Sequence, residues 1–596
     1  MNMFNCATRL RLRRIFRRRR NQLEAVTQQA EKQFDTQFVN RLEKLLHVQR
    51  FVAGWIFLIV VLTTLTVMQT VGLNQFYLKS GPVPGGIYNE GMVGTYSNAN
   101  PIYATGPVDT SISRLIFAGL FKYDEANMLV GNLATGYKVD ESGKIYTVQL
   151  KPNLHWHDGV PLTAKDVVFT YQLIQNPDAR SPLLSSWQGI TIAQQDARTI
   201  TFRLPSALTA FPDSLTTGIL PEHVLKNLAP AKIRASNFNT TAPIGAGPFK
   251  WDALQLGSSV DPGDATALIS LKAFDAYNAG RPKLDGFILH TYESPEKLLT
   301  AYKRRLVEGA AGLQNLPEPI RKDASSHVYN FSTTAATMVF FKTSTGVLSD
   351  TAVRRALVLA ADRQAIVRAL EYQTKIVNAP VLKSQFAYDK TYAQPSFDLA
   401  AAATTLDQAG WVKGKGGVRS KDNKQLRFQL LAEDTPDNKK VLEQLKKTWK
   451  SLGVIVEPVL QATSDFQGAV ETHSYDAVLY GIAIGPDPDV FVYWDSSQAD
   501  VRSSNRLNFS EYKSAVADAA LEAGRTRQDV AVRTLKYKPF LKAWQEDAPA
   551  LALYQPNALY VTRGYVAGLK EHTINTDADR YYSIQNWAVK TGRVPR

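Results

Sequence analysis

The sequence has almost no cysteine: among its 596 residues only Cys6 carries a thiol. The chain therefore forms no internal disulfide, and its stability must come from packing. No cysteine stands at the end of the apolar run described next, which excludes lipid attachment there. The chain also has only eight histidines, no H-E-x-x-H pattern and no G-x-S-x-G elbow after a strand, so a hydrolase finds little support.

Charged residues are absent from 51–73, whose sequence is FVAGWIFLIVVLTTLTVMQTVGL. A helix of this length, at about 1.5 Å per residue, spans the roughly 30 Å hydrocarbon core of a bilayer. Its polar residues are mostly threonines, whose hydroxyls can bond back to helix carbonyls. The run exceeds the core of a signal peptide, which is about 7–15 residues, and no A-x-A-like site follows it. It also lacks the polar face of a soluble helix. The sequence predicts a transmembrane helix over 51–73, rather than a cleaved signal peptide or a buried soluble helix.

Positive charge is concentrated before this run. Residues 1–50 contain 12 Lys and Arg against 4 Asp and Glu, whereas the remaining 546 residues contain 57 against 50. By the positive-inside rule, residues 1–50 form a basic cytoplasmic segment and the chain from about residue 74 lies outside the cell membrane. The arginines fit topology and attraction to anionic headgroups. Because the rest of the chain is only mildly basic, we expect no nucleic-acid partner.

Hydrophobic patterning assigns the segments on either side of the span. Apolar residues recur at three- and four-residue steps over 21–50 and predict a helix. This helix would extend the membrane helix, lie on the inner leaflet or dock a partner. Residues 74–86, ending in GPVPGG, are interpreted as an extended linker. The patterns then predict a strand over 86–96, a helix over 110–121 and a strand over 144–150.

Residues 155–170, HWHDGVPLTAKDVVFT, combine a tight turn with a helix start. Thr163 and Asp166 have the spacing of a capping box. His155 and His157 are two residues apart, which places both on one face of a strand. No nearby His, Cys or carboxylate cluster completes a metal site. We therefore expect no metal and no other cofactor.

Five segments form an ordered set of motifs along the outer part of the chain. They are WHDGVPLTAKDVVF at 156–169, PIGAGPF at 243–249, RRALVLAADR at 354–363, LDQAGW at 406–411, and YDA at 475–477 with PDPD at 486–489 and Trp494. In this order they resemble the motifs of the extracellular solute-binding proteins of family 5. Those proteins are the oligopeptide- and dipeptide-binding components of ABC importers.

The resemblance implies an α/β, two-lobe periplasmic-binding-protein type II fold with an extra subdomain, preceded by one transmembrane helix. Alternating strand and helix patterns along the outer part agree with α/β lobes. Lobe 1 with the extra subdomain is expected at 83–325, lobe 2 at 326–555, and a return to lobe 1 at 556–596. The ligand would lie between the lobes, which close by a hinge motion.

Most of the motif residues are interpreted as structural. The glycines of 243–249 are expected to supply backbone angles that a Cβ forbids. Arg354 and Arg355 are expected to pair with carboxylates across lobe 2. Trp156 and Phe169 are expected in the core.

The resemblance also implies how a ligand is held. Peptide-binding relatives bond the main chain of an extended ligand, with an aspartate after the Y-D-A segment at its amino group and often a tryptophan slightly earlier. This sequence has Gly481 and Ile484 at those positions. The solute is therefore left open between a blocked or longer peptide, an oligosaccharide and another solute of the family. The candidate cleft residues are Tyr96, Asn98, Tyr480, Ile484, Asp487 and Trp494, and no catalytic residue is expected.

These observations favour a membrane-anchored, non-enzymatic receptor. It would capture peptides or peptide-like solutes outside and deliver them to an ABC permease and its ATPase. A second hypothesis is a ligand sensor that signals through the cytoplasmic helix 21–50. The third and weakest is an extracellular hydrolase built on paired carboxylates, which sequence alone cannot pair.

Overall fold

The computed structural model describes residues 27, 32, 49–257, 263–370, 372, 374–500 and 506–595. The chain divides into two compact units: residues 1–81 with 591–596, and residues 82–590. The predicted cytoplasmic helix 21–50 lies outside the described residues except at positions 27, 32, 49 and 50. It therefore stays a prediction.

The first unit contains the apolar helix Gln49–Tyr77. Its stretch Phe51–Leu73 is long and apolar enough to cross a membrane, and none of it is buried. The hydroxyls of Thr64 and Thr66 donate to the carbonyls of Val60 and Leu62, both at 2.7 Å, which confirms the predicted back-bonding. Such bonds would satisfy the hydroxyls if the helix lay in a bilayer.

The segment after this helix differs from the predicted linker. Strand Leu78–Val83 pairs with the C-terminal strand Lys590–Pro595 in a two-stranded sheet. The expectation of an irregular tether over 74–86 was therefore wrong for 74–83, because the helix continues to Tyr77 and the strand follows it directly. Its prolines and glycines are tolerated because both strands of a two-stranded sheet are edge strands.

Lobe 1, residues 82–333 and 557–590 of the second unit, is built on an eight-stranded sheet. The strands in order across it are Thr573–Ile574, Ser326–Thr333, Asn557–Arg563, Gly309–Leu313, Ile87–Val93, Gly286–Tyr292, Ala267–Ala273 and Phe249–Leu256. Ile87–Val93 is central and runs parallel to both of its neighbours. It is the strand predicted over 86–96.

A subdomain in lobe 1 has its own four-stranded antiparallel sheet. Its strands in order are Ala134–Val139, Ile145–Leu150, Thr199–Arg203 and Thr191–Gln194, and a separate hairpin joins Phe121–Tyr123 to Leu129–Gly131. The helices of lobe 1 are Pro107–Ile116, Ala164–Gln175, Leu184–Trp187, Glu222–Leu225, Pro230–Ile233, Pro295–Lys303 and Glu318–Arg321. The helix predicted over 110–121 begins three residues earlier because Pro107 suits a first helical position, and it ends five residues earlier, at Ile116.

Lobe 2, residues 335–555, is built on a six-stranded sheet covered by helices. The strands in order are Lys375–Ile376, Ala550–Gln555, Ala335–Phe341, Ala477–Ala483, Arg427–Glu433 and Ile455–Gln461. A small three-stranded sheet comprises Val412–Lys413, Arg419–Lys421 and Lys424–Gln425. The helices are Thr351–Leu359, Arg363–Ala369, Leu399–Gln408, Pro436–Leu452, Thr463–Glu471, Phe491–Trp494, Ala515–Arg525 and Val530–Asp547.

The chain passes between the two large sheets at Thr334 and at Pro556, and these residues form the hinge. The Thr333 hydroxyl donates to the Pro556 carbonyl at 2.6 Å, which ties the two crossings together. The boundary expected at 325/326 is corrected by the sheet. Strand Ser326–Thr333 pairs from Ser326 to Ser332 with Asn557–Arg563 and so belongs to lobe 1.

Two of the sequence motifs meet in lobe 1. His157 accepts the Gly245 N–H at Nδ1, 3.2 Å away, and its Nε2 lies 3.1 Å from the Gly247 carbonyl. Both contacts are satisfied by a neutral ring, and burial lowers the His157 pKa to about 4. A Cβ at Gly245 would lie 2.0 Å from the Ile116 carbonyl oxygen. Close approach of two backbones, and not a positive φ, is therefore what requires glycine here.

The capping box predicted from the sequence is present, whereas the ion pairs predicted for Arg354 are not. The Thr163 N–H donates to the Asp166 carboxylate at 2.8 Å, and the capping box is complete. Arg354 instead donates to main-chain carbonyls, including that of Asp547 at 2.7 Å. Arg354 therefore bonds carbonyls at the end of a helix, which have no partners within that helix, and not the expected carboxylates.

Candidate functional site

Two cavities lie side by side where the lobes meet at the hinge. One has a volume of about 370 Å³ and is walled mainly by lobe 1. The other has a volume of about 380 Å³ and is walled mainly by lobe 2. Gln314, Pro556 and Asn557 border both. The two cavities therefore adjoin at the hinge, and we refer to them together as the cleft.

The lobe 1 half of the cleft is largely apolar. Its lining includes Val93, Leu313, Phe331, Ala558, Leu559, Ile574 and, at one end, Tyr560, Asp577 and Arg580. The lining side chains come from the strands and turns around the hinge. This half can accept an apolar part of a solute, with polar groups at one end.

A buried polar network lies beneath that end. The Arg580 guanidinium pairs with the Glu90 carboxylate, and their side chains are 3% and 0% exposed. The hydroxyls of Tyr560 and Tyr581 also donate to Glu90. Tyr88 and Tyr560 share a hydrogen bond of 2.9 Å. Burial raises the pKa of each of these tyrosines well above its usual range, so they remain hydroxyl donors.

The lobe 2 half of the cleft is polar and acidic. Glu433 and Asp437 line it, and its described lining residues include no lysine, arginine or histidine. The Thr463 hydroxyl donates to Glu433 at 2.6 Å and the Tyr372 hydroxyl to Asp437 at 3.0 Å. Neither carboxylate has a basic partner among the described residues. Among the described lining residues, therefore, the only charges that this half presents to a solute are negative.

Aromatic side chains complete the lobe 2 half. Tyr372, Tyr480, Tyr554 and Phe466 contribute to its walls. Burial raises the Tyr554 pKa to about 12 and, together with the Glu433 charge, raises that of Tyr480. Gly481 leaves an opening beside Tyr480, because a Cβ built there meets no atom within 4 Å. Tyrosine faces next to carboxylates suit a positively charged group.

The structure brings one of the predicted cleft residues, Tyr480, into this lining. Its contact with ligand stays a prediction. Tyr96 donates instead to the Thr240 carbonyl at 3.0 Å. The Asn98 side chain accepts the Asn100 N–H at 2.8 Å. Neither residue borders the two cavities described above.

The other three predicted residues lie in the framework of lobe 2. Ile484 is 6% exposed, and its N–H donates to the hinge carbonyl of Thr334 at 2.9 Å. Both carboxylate oxygens of Asp487 accept from Arg533, at 2.6 and 2.7 Å. Trp494 is fully buried against Phe340. Trp494 is thereby corrected from a cleft residue to a core residue, because its ring packs inside the lobe.

Sequence reasoning missed most of the lining. Gln314, Tyr372, Glu433, Tyr554 and Arg580 come from five distant segments and belong to none of the five motifs. One signal could have found Glu433. It is the last residue of strand Arg427–Glu433, which runs parallel to two neighbours. Ligands in α/β sheets bind at the carboxyl ends of such strands.

No group of three or more His, Cys, Asp or Glu side chains in the described part of the chain could hold a metal ion. His155 and His157 are occupied separately: the His155 ring lies 3.0 Å from the Asn153 carbonyl, and His157 holds the glycine turn. The histidine pair is therefore used structurally.

Sequence comparison places the chain among known binding proteins. The sequence profile of the bacterial extracellular solute-binding proteins, family 5 Middle, matches residues 128–503. The oligopeptide-binding protein AppA of Bacillus subtilis (strain 168) is 28% identical over 524 residues, which is 85% of this chain and 92% of AppA. A putative ABC transporter peptide-binding protein of Brucella ovis is 24% identical over 481 residues, 79% of this chain and 87% of that protein.

Solved structures agree with the fold. NikZ from Campylobacter jejuni, in complex with Ni(L-His), has a TM-score of 0.71 and 25% identity, covering 84% of this chain and 99% of NikZ. AppA from Bacillus subtilis, in complex with a nonapeptide, has a TM-score of 0.68 and 24% identity, covering 86% of this chain and all of AppA. The predicted α/β periplasmic-binding-protein fold is confirmed.

Proposed function

This chain belongs to the bacterial extracellular solute-binding proteins of family 5, a family of binding proteins and not of enzymes. Within this family we propose a specific role for it. It captures a peptide or peptide-like solute in the interlobe cleft and delivers it to the permease of an ABC importer. The adjoining cavities of the cleft, one walled mainly by each lobe, carry this proposal. A solute touching both walls would hold the lobes together around it.

The chemistry of the cleft supports a solute with a cationic end. At the position where relatives offer an aspartate to a peptide amino group, this chain has the buried Ile484. Glu433 and Asp437 lie in the same lobe and face the cavity without basic partners among the described residues. A charge-assisted hydrogen bond from an ammonium group to one of them would replace the missing interaction. The apolar lobe 1 half would then receive the remainder of the solute.

Gly481→Trp tests the cleft directly. The indole would occupy the opening beside Tyr480, so we expect peptide affinity to fall at least tenfold, about 1.4 kcal/mol, with little change in melting temperature. The measurement is calorimetry with a defined pool of three- to five-residue peptides, after denaturing removal of co-purified solute. Gly136→Trp is the matched control, because Gly136 also stands in a strand with open space around its Cβ.

Two results would contradict the proposal. If wild-type protein binds no peptide of the pool, the solute class is wrong. If it binds peptides and Gly481→Trp binds them equally well, the lobe 2 half of the cleft is not where they bind. Loss of binding in Gly136→Trp would point to a general loss of structure.

We also propose that the helix Gln49–Tyr77 anchors the protein in the cell membrane, with residues 1–50 in the cytoplasm. The length and composition of Phe51–Leu73 and the preceding basic residues support this. Protease added to intact cells, or to spheroplasts where an outer membrane is present, is expected to degrade the large C-terminal part. An N-terminal epitope tag should survive. Survival of the C-terminal part after permeabilisation of the outer membrane would contradict this orientation.

A further inference from the structure

A second cavity, separate from the cleft, lies within lobe 1, and we propose that it binds a small organic carboxylate with a single negative charge. Its volume is about 210 Å³, and Arg114, Lys122, Asn132 and Tyr582 contribute to its lining. It shares no lining residue with either half of the cleft. The site is therefore distinct from the one assigned to the transported solute.

The charges around this cavity do not balance. Arg114 is neutralised by Asp579, with 2.9 Å between Nη2 and Oδ1. The other oxygen of Asp579 accepts the Thr576 N–H at 2.9 Å and so caps the start of the turn Asp577–Tyr581. Asp579 is the only carboxylate in the described lining. Lys122 is thus left as one positive charge in excess.

Lys122 is poorly compensated by the protein itself. Its ammonium donates to the Tyr582 carbonyl at 3.3 Å, and no carboxylate of the described residues lies within ion-pair distance. Burial, with smaller contributions from the nearby charges of Lys151 and Arg114, lowers the Lys122 pKa to about 8. A half-buried cation without a counterion loses hydration that the protein does not replace. An anion bound beside it would supply the missing partner.

A second unsatisfied group lines the same cavity. Asn132 is 6% exposed, and its Oδ1 has no hydrogen-bond partner among the described residues. Buried side-chain amides nearly always have partners, so an unsatisfied one marks a place where a polar group fits. The Asn132 amide nitrogen, which is a donor, also has no hydrogen-bond partner among the described residues. Lys122 and Asn132 thus each bring a donor group to the lining of the cavity.

The lining also limits what the anion can be. One excess positive charge matches a monoanion, whereas a phosphate dianion would leave a buried negative charge unpaired. Phe117, Leu183, Tyr277 and Ile584 supply apolar surface around the polar end. A short hydrocarbon or aromatic acid satisfies both requirements. This favours a carboxylate with a small apolar body over inorganic phosphate.

The test compares anions on the full-length chain in detergent at constant ionic strength. Thermal shift and calorimetry with butyrate and benzoate are expected to show saturable binding, with phosphate weaker and chloride inactive. Lys122→Met is expected to weaken carboxylate binding at least tenfold while remaining folded, because it removes a poorly compensated charge. Lys144→Met is the matched control: its ammonium also donates to a carbonyl, that of Pro205 at 3.3 Å, but on the surface.

The outcomes separate this site from the cleft. Carboxylate binding that survives in Gly481→Trp and is lost in Lys122→Met supports the proposal, whatever the peptide result. Equal binding by Lys122→Met and wild type would overturn it. So would stabilisation by chloride equal to that by butyrate, or loss of carboxylate binding in Lys144→Met, because each shows a general charge effect.

Discussion

Replacing Arg580 by methionine is expected to lower the free energy of unfolding by roughly 3–5 kcal/mol, because it leaves the carboxylate of Glu90 buried without its cation. Glu90 is fully buried and stands on the central strand of the lobe 1 sheet. Tyr560 and Tyr581 would still donate to it, but hydrogen bonds from neutral groups do not replace a charge. Methionine preserves much of the apolar volume, so the change reports mainly on charge.

Chemical denaturation of wild type and variant measures this loss. Arg281→Met is the control, since Arg281 pairs with Asp275 and Asp285 at the surface, with its side chain 41% exposed. That variant should change stability little, because exposed pairs contribute little. The double variant Glu90→Gln with Arg580→Met should be more stable than Arg580→Met alone, since no buried charge remains. An Arg580→Met protein as stable as wild type would show that the pair does not hold lobe 1 together.

The same substitution should also weaken solute binding. Arg580 and Tyr560 border the lobe 1 half of the cleft, and the Glu90 carboxylate holds both. Loss of the guanidinium would let Tyr560 change position and alter the wall that the solute contacts. Binding should therefore be measured well below the denaturation midpoint, where the variant is folded.

Asp487→Ala is also expected to lower the free energy of unfolding by roughly 3–5 kcal/mol. It leaves Arg533, whose side chain is 2% exposed, without the carboxylate that accepts both of its terminal nitrogens. Arg533 also lies 4.9 Å above the Phe386 ring, so it is held inside lobe 2 and cannot readily reach water. The loss of stability arises more from the guanidinium that remains buried without its carboxylate than from the removal of the aspartate itself.

Asp252→Ala provides the comparison for this effect. Asp252 pairs with Lys272 at 2.6 Å, but both side chains are well exposed, and its removal should be nearly neutral. Asp487→Asn should fall between the two, because an amide oxygen still accepts one hydrogen bond from Arg533. Calorimetric unfolding of the three variants orders them. If Asp487→Ala lowered the free energy of unfolding no more than Asp252→Ala, the pair of Asp487 and Arg533 would not stabilise lobe 2.

Features whose interactions are local could be predicted from the amino-acid sequence. The threonine hydroxyls of the apolar helix bond carbonyls three or four residues away. The capping box at Thr163 and Asp166 closes within three residues. The family fold could also be identified, because its five motifs retain their order along the chain. Short-range contacts and the order of motifs can both be predicted directly from the order of the residues.

Tertiary structure alone decided the lobe boundary and the site. Strand Ser326–Thr333 belongs to lobe 1 because its partner, Asn557–Arg563, lies more than 200 residues later. Asp487 was predicted to contact the ligand, but its carboxylate pairs with Arg533. The cleft lining comes from segments that only the hinge brings together, and no local pattern encodes which of their side chains face the same cavity. Contacts between distant segments depend on how whole sheets pack, which a local reading of residues does not contain.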